Sequence, residues 1–130
     1  MIDKLLKIKD NAYAPISNVK VSAVVIMKDK KEFYGVNVED ASTRAGTCAE
    51  RNAIFNAITN GYNKGDFEEL HLLVSNGKIS TPCFVCRQLI IEMFDLDKKI
   101  YCYNSNGDVK VFTVKELCPY PFTSEDLVWK

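Results

Sequence analysis

A chain of 130 residues, 47% of them apolar, is long enough for one domain with a real core. Its 17 basic residues balance 17 acidic ones and no Lys/Arg block occurs, which argues against a partner with a phosphate backbone. No apolar run of about 18 residues offers a membrane span, and Met1-Ile-Asp-Lys4 has neither the basic start nor the apolar stretch of a signal peptide.

Ile2, Leu5, Leu6 and Ile8 recur at roughly helical spacing, so a first helix is expected from Ile2 to about Ala12, broken by Pro15 and Ser17. Val19, Val21, Ala23, Val24, Val25 and Ile26 form a β-branched run that reads as a buried strand. Asp29-Lys-Lys31 turns the chain, and Glu32 to Val38 returns as a second strand. Ala41 to Gly46 is small and polar, a loop. Ala49, Ala53, Ile54, Ala57 and Ile58 make a helical stripe closed by Asn60-Gly61. Leu70 to Ser75 reads as a third strand ending at Asn76-Gly77. Pro82 opens another helix, with Val85, Leu89, Ile90 and Met93 on its apolar side. Lys99 to Tyr103 and Val109 to Phe112 are two strands across Asn106-Gly107, a hairpin signal. From Val114 a short helix and an irregular end are expected. The order αββαβαββα predicts a single α/β domain over residues 1–130 with a mixed five-stranded sheet.

Two short motifs carry the chemistry: Cys48-Ala-Glu50 and Pro82-Cys83-Phe-Val-Cys86. Each is expected at a helix N-terminus. Cys83 and Cys86 are three apart and share a helix face. Pro82 suits the first helical turn and Thr81 can cap it. The positive end of a helix lowers thiol pKa and favours metal binding. Three protein ligands hold Zn²⁺ with its fourth position open to water. Cys48, Cys83 and Cys86 would then be the ligands of one zinc per chain, and Glu50 the carboxylate that moves protons. That layout is the signature of zinc nucleobase deaminases. Arg51 would offset thiolate charge by donating to cysteine sulfur.

Each motif also has a plainer reading. Cys102 or Cys118 would complete a structural four-cysteine zinc site, although both read better as small buried hydrophobes. Thr47-Cys-Ala-Glu50 matches a capping box. His71, the only histidine, opens a strand and is assigned no role. Five cysteines without disulfide-framework spacing predict a reducing, cytoplasmic location.

Along nearly its whole length the chain resembles the small cytidine deaminases of the pyrimidine-salvage type. The resemblance rests on Gly35-Val-Asn37-Val-Glu39-Asp-Ala-Ser42, on Cys48-Ala-Glu-Arg-Asn-Ala-Ile-Phe55, on Pro82-Cys-Phe-Val-Cys-Arg-Gln88, and on Glu116-Leu-Cys-Pro-Tyr-Pro-Phe122 with the Glu-Asp-Leu127 that follows. It implies the three-layer α/β/α cytidine deaminase-like fold. It also implies zinc-dependent hydrolysis of cytidine or deoxycytidine to uridine or deoxyuridine and ammonia. Asn37 and Glu39 would bond the ribose hydroxyls, the Ala49 backbone would read the base edge, and Phe122 would stack on a base in a neighbouring subunit's site. A homotetramer with shared sites is implied, with no nucleic-acid or membrane partner.

The chain departs from the family pattern around the pocket. Val19 stands where the family has an aromatic, and Ser22 where it has Gly. Thr43, Ala45 and Gly46 replace larger residues. Blasticidin-S deaminases of the same superfamily also carry small residues there, and Val128-Trp129 resembles their C-terminus. A larger cytosine nucleoside is therefore an alternative substrate. A non-catalytic zinc-binding module is a further alternative.

Overall fold

The β-branched run after Asn18 becomes the strand on which the sheet is built. Residues 1–127 are described by the computed structural model, so the Val128-Trp129 resemblance lies outside the described residues. The elements are α1 (Ile2–Ile8), β1 (Val21–Met27), β2 (Glu32–Val36), α2 (Ala49–Thr59), β3 (Phe67–Val74), α3 (Phe84–Met93), β4 (Lys99–Tyr103), β5 (Val109–Thr113) and α4 (Val114–Leu117), with 3₁₀ turns at Lys9–Asn11 and Ser124–Leu127. One five-stranded sheet has the order β2-β1-β3-β4-β5. Only β3 and β4 pair in parallel; the other neighbours are antiparallel.

Side chains alternate across the strands and divide the core in two. Ala23, Val25, Met27, Leu70, Leu72, Ile100 and Cys102 pack against Ala53, Ile54 and Ala57 of α2 and Ile90 and Met93 of α3. Val24, Leu73 and Tyr103 point the other way and pack on Leu5 of α1. Helices thus cover both faces, as expected for three layers.

Strand direction brings the two motifs together. Strands β2 and β3 both run antiparallel to β1, so they share a direction. Each is followed by a helix that returns along the sheet. Helices α2 and α3 therefore both start at the carboxyl ends of these strands, where open α/β sheets bind ligands.

Some predicted boundaries move, each for a local reason. Helix α1 stops at Ile8, because Lys9-Asp-Asn11 offers no apolar anchor and the next turn is pulled away. Tyr13 N–H donates to the Asn37 carbonyl at 3.0 Å, and Glu39 N–H to the Tyr13 carbonyl at 2.8 Å. The first strand starts at Val21 rather than Val19, after Asn18 turns the chain with φ of 61°. The second strand ends at Val36, since Val38 leaves to bridge Tyr13 and Thr47. The third begins at Phe67, where two glutamates hide a residue that pairs with Met27 and meets Phe94 at 4.9 Å between ring centroids. Val85 does not face the core. Helix α3 buries Cys86, Ile90 and Met93, and Val85 lies 60% exposed beside that stripe.

Candidate active site

Cys48 and Cys83 occupy equivalent places. Each is the N-cap of its helix, with extended backbone at φ −75°, ψ 156° and φ −65°, ψ 162°. Cys86 lies in the first turn of α3 and is buried. Pro82 precedes the cap rather than occupying the first helical turn. Thr81 does not cap; the Cys83 sulfur takes that role, accepting Cys86 N–H at 3.5 Å. The ligand atoms of Cys48, Cys83 and Cys86 all lie within 4.8 Å of one another, and among the described residues no further cysteine, histidine or carboxylate joins the group. Cys102 and Cys118 are buried in the core instead, which removes the four-cysteine site.

The donor set fits zinc. Tetrahedral sulfurs about 2.3 Å from Zn²⁺ stand about 3.8 Å from each other. Cys48 Sγ and Cys83 Sγ are 3.8 Å apart. Arg51 Nη2 donates to Cys48 Sγ at 3.5 Å, as expected of a residue that offsets thiolate charge. The nearby Cys86 thiol lowers the Cys48 pKa, with Arg51 adding to the effect, while the same proximity drives Cys86 upward.

Glu50 is the second residue of α2 and is 4% exposed. Burial pushes its carboxyl up to about 7, and the charge on Cys48 adds to that. The capping box is not made: α2 has no side-chain cap bond, and the Thr47 hydroxyl is buried without a partner. The box forms at α4 instead, between Thr113 and Glu116. Glu50 is thus a carboxylate close to neutral pKa beside three sulfurs, suited to give and take protons.

Cys48 and Glu50 line a cavity of about 400 Å³, while Cys83 and Cys86 are not among its lining residues. Asn37, Glu39, Ala49 and Arg51 line it as expected, and so do Val19, Thr43 and Gly46. Ala45 is not among its lining residues. Asn37 and Glu39 have structural partners as well. Asn37 Oδ1 accepts Val21 N–H at 2.8 Å, and Nδ2 donates to the Val19 carbonyl at 2.9 Å. Glu39 accepts Ile16 N–H and Ser17 N–H at 3.0 Å each, and the Ser17 hydroxyl at 2.5 Å. Phe122 lies elsewhere, 54% exposed in a concavity with Phe84 and Tyr120. Its carbonyl accepts Gln88 Nε2 at 2.6 Å.

Asp40 escaped the sequence reading. Its carboxylate accepts Ser42 N–H at 3.0 Å, the Ser42 hydroxyl, Ala45 N–H at 3.1 Å and Gly46 N–H at 3.0 Å. These bonds, the Ser42 hydroxyl first, hold it below the usual carboxylate range. The loop they tie carries Thr43 at φ 60° into the cavity wall. Asp-x-Ser before a glycine is a turn signal that could have pointed to it. His71 is buried, bonded to Tyr103 and Glu69 at 2.9 Å each and stacked on Tyr101 on the α1 side of the sheet, a satisfied structural imidazole.

Comparison with known proteins agrees with this geometry. Residues 1–103 match the family model described as the cytidine and deoxycytidylate deaminase zinc-binding region. The chain is 35% identical over 127 residues to the cytidine deaminase of Halalkalibacterium halodurans, covering 98% of this chain and 95% of that one. It is 35% identical to the Mycoplasma genitalium enzyme of the same name, covering 90% and 88%. The crystal structure of cytidine deaminase from Burkholderia pseudomallei superposes with a TM-score of 0.88 at 37% identity, covering 93% of this chain and 95% of that one. Sequence, fold and the arrangement of thiols and carboxylate together make this chain a member of the cytidine and deoxycytidylate deaminase family.

Proposed function

We propose that the protein deaminates cytidine and deoxycytidine to uridine and deoxyuridine, releasing ammonia, with one zinc held by Cys48, Cys83 and Cys86. The observation that carries this reading is the buried, readily protonated Glu50 beside three clustered sulfurs, facing a cavity of nucleoside size. Zinc, when bound, brings the pKa of a coordinated water towards neutrality and so supplies a nucleophile. The chain's own residues do the rest. Glu50 protonates the pyrimidine ring nitrogen as water adds at the amino-bearing carbon. It then carries a proton to the amino group, and ammonia leaves. Arg51 holds the Cys48 sulfur and tempers the charge of the thiolates. Asn37 and Glu39 fix one wall, their remaining hydrogen-bonding capacity turned to the ribose, and the Ala49 backbone reads the base edge. The zero net charge supports a neutral nucleoside over a polynucleotide.

The test is direct. Purified protein should carry about one zinc per chain and cause loss of cytidine absorbance with ammonia release. Zinc-loaded, folded protein that leaves cytidine, deoxycytidine and blasticidin S all unchanged overturns the reading and returns the chain to the non-catalytic alternative. A larger cytosine nucleoside is kept as a second reading because Val19, Thr43 and Gly46 line the cavity with small side chains. Val19→Phe separates the two. It should lower KM for cytidine if it restores a stacking face, worth ~1–3 kcal/mol per base, and raise it if the space serves a bulkier substrate.

The Asp40 loop yields a prediction of its own. Asp40→Ala should raise KM on the order of tenfold with kcat little changed, because the freed loop displaces a wall of the cavity and not the proton carrier. Steady-state kinetics check this, and an unchanged KM would leave the loop without a role in binding.

Assembly into a homotetramer with shared sites is proposed from the tail, where Phe122 does not line its own cavity and is 54% exposed, free to reach another. Light scattering should give four chains, and truncation from Pro119 should weaken both assembly and substrate binding. A fully active monomer would refute it. No helix among the described residues is long and apolar enough to cross a membrane. Five free cysteines suit a reducing cytoplasm, and the activity fits pyrimidine salvage.

A further inference from the structure

Of the three sulfurs, only Cys83 is exposed. Cys86 is buried within α3, and Cys48 is held by Arg51. Cys83 instead ends the stretch Ile79–Cys83, which has no regular secondary structure. Its sulfur accepts Cys86 N–H at 3.5 Å and its carbonyl accepts Arg87 N–H at 2.9 Å, and the rest of its placement depends on what fixes that stretch. Arg87, one turn into the same helix, folds back over it. Its Nε donates to the Pro82 carbonyl and its Nη2 to the Thr81 hydroxyl, both at 2.8 Å. Its third nitrogen, Nη1, crosses to the Leu117 carbonyl at the end of α4, also at 2.8 Å. The Phe84 ring covers the guanidinium, with Cζ 4.3 Å from its centroid. Two more bonds run beside this bridge: Cys118 Sγ to the Arg87 carbonyl at 3.8 Å, and Gln88 Nε2 to the Phe122 carbonyl.

We propose that Arg87 is a positioning residue that sets the exposed ligand Cys83 and the Thr81 edge of the cavity, and locks both to the C-terminal tail. The proposal rests on the reading of Cys83 as a zinc ligand, not on the reaction. A planar fork makes all three bonds at once, whereas a lysine would offer a single point donor. Residues that orient metal ligands typically change metal affinity by about 10–100-fold when removed. The tail that carries Phe122 is thereby fastened to the chain's own metal centre.

Arg87→Met keeps the aliphatic stem and removes the fork. Its zinc dissociation constant, read by competition with the dye 4-(2-pyridylazo)resorcinol, should rise about tenfold or more. Chymotrypsin should cut after the exposed Phe122 faster, with far-UV circular dichroism unchanged. Arg87→Lys should not restore either property. Gln88→Ala should loosen the tail but hold zinc as the unaltered protein does. A folded Arg87→Met protein with unaltered zinc affinity overturns the proposal, and so does equal zinc loss in Gln88→Ala. If Arg87→Met fails to fold, Thr81→Val decides, since it removes only the bond beside Cys83; unaltered zinc affinity there is also fatal. Neither readout uses catalysis, so an inactive but zinc-binding protein would end the deaminase reading and leave this one standing.

Discussion

Glu50→Gln is expected to keep the fold and the zinc and to lose about 10²–10⁴-fold in kcat, the usual share of a general acid–base group. Glutamine has the shape of the carboxyl and can still hydrogen-bond, but it cannot take up and release a proton. Burial raises the Glu50 carboxyl from its ordinary 4.5 to about 7, and that has a second consequence. A raised carboxyl costs stability only where it must ionise. In zinc-free protein the cost is absent below the ordinary value, grows as pH climbs towards about 7, and is constant above it. Its full size is on the order of 3 kcal/mol. Zinc-free Glu50→Gln should therefore lose this fall in stability between about pH 4.5 and 7, as read by urea unfolding at a series of pH values. If the variant stays fully active and is instead about 1 kcal/mol less stable at every pH, Glu50 is a helix cap. The unpartnered Thr47 hydroxyl already speaks against that outcome.

The meeting of Cys48, Cys83 and Cys86 was legible in the sequence because metal-binding chemistry demands particular atoms at particular spacings. Cys83 and Cys86 cannot both reach one ion unless they share a face, and Glu50 must follow Cys48 closely to face the same point. The β-branched run of β1 and the Asn106-Gly107 hairpin were legible for similar reasons: each is a local pattern with one good conformation. Other features depended on partners distant in the chain. Val85 matched the apolar pattern of α3, but the stripe through Cys86, Ile90 and Met93 won the core side. Thr81 had the chemistry of a cap, yet its hydroxyl went to Arg87. Asn37 and Glu39 were placed at the cavity wall by resemblance, while their bonds to Val21, Ile16 and Ser17 emerge only when two loops meet. Arg87 and Asp40 were invisible as organisers, since a charged residue in a short motif gives no hint of which carbonyls or amides surround it.

Gly35→Ala is expected to damage both stability and activity, although it adds a single methyl group away from the metal ligands. Gly35 lies in β2, buried beneath α2. A Cβ there would stand 2.4 Å from the Ala49 carbonyl oxygen, 2.4 Å from the Ala53 nitrogen and 3.0 Å from the Asn52 carbonyl carbon. All three are backbone atoms of the helix, so no side chain can swing aside. The helix is also stitched to the strand, by Asn52 Nδ2 to the Val36 carbonyl at 2.7 Å and Asn56 Nδ2 to the Tyr34 carbonyl at 3.4 Å. Accommodating a methyl group must therefore lift α2 or bend β2. Overpacking of this kind costs about 1–3 kcal/mol, occasionally more, and should lower the melting temperature by ~5–15 °C. The functional loss should exceed the loss of stability. The end of α2 that must move carries Cys48, Ala49, Glu50 and Arg51, and a displacement of about 1 Å at a reacting centre can cost 10²-fold. Gly61→Ala provides the contrast: it is strained by φ of 98° but meets nothing within 4 Å, so it should lower stability modestly and leave kcat alone. Thermal melts and kinetics on the folded fraction separate the two cases. A Gly35→Ala protein that melts and turns over like the unaltered one would mean that α2 does not rest on β2 through its backbone. The close approach that aims Cys48 and Glu50 at the cavity would then have to come from elsewhere.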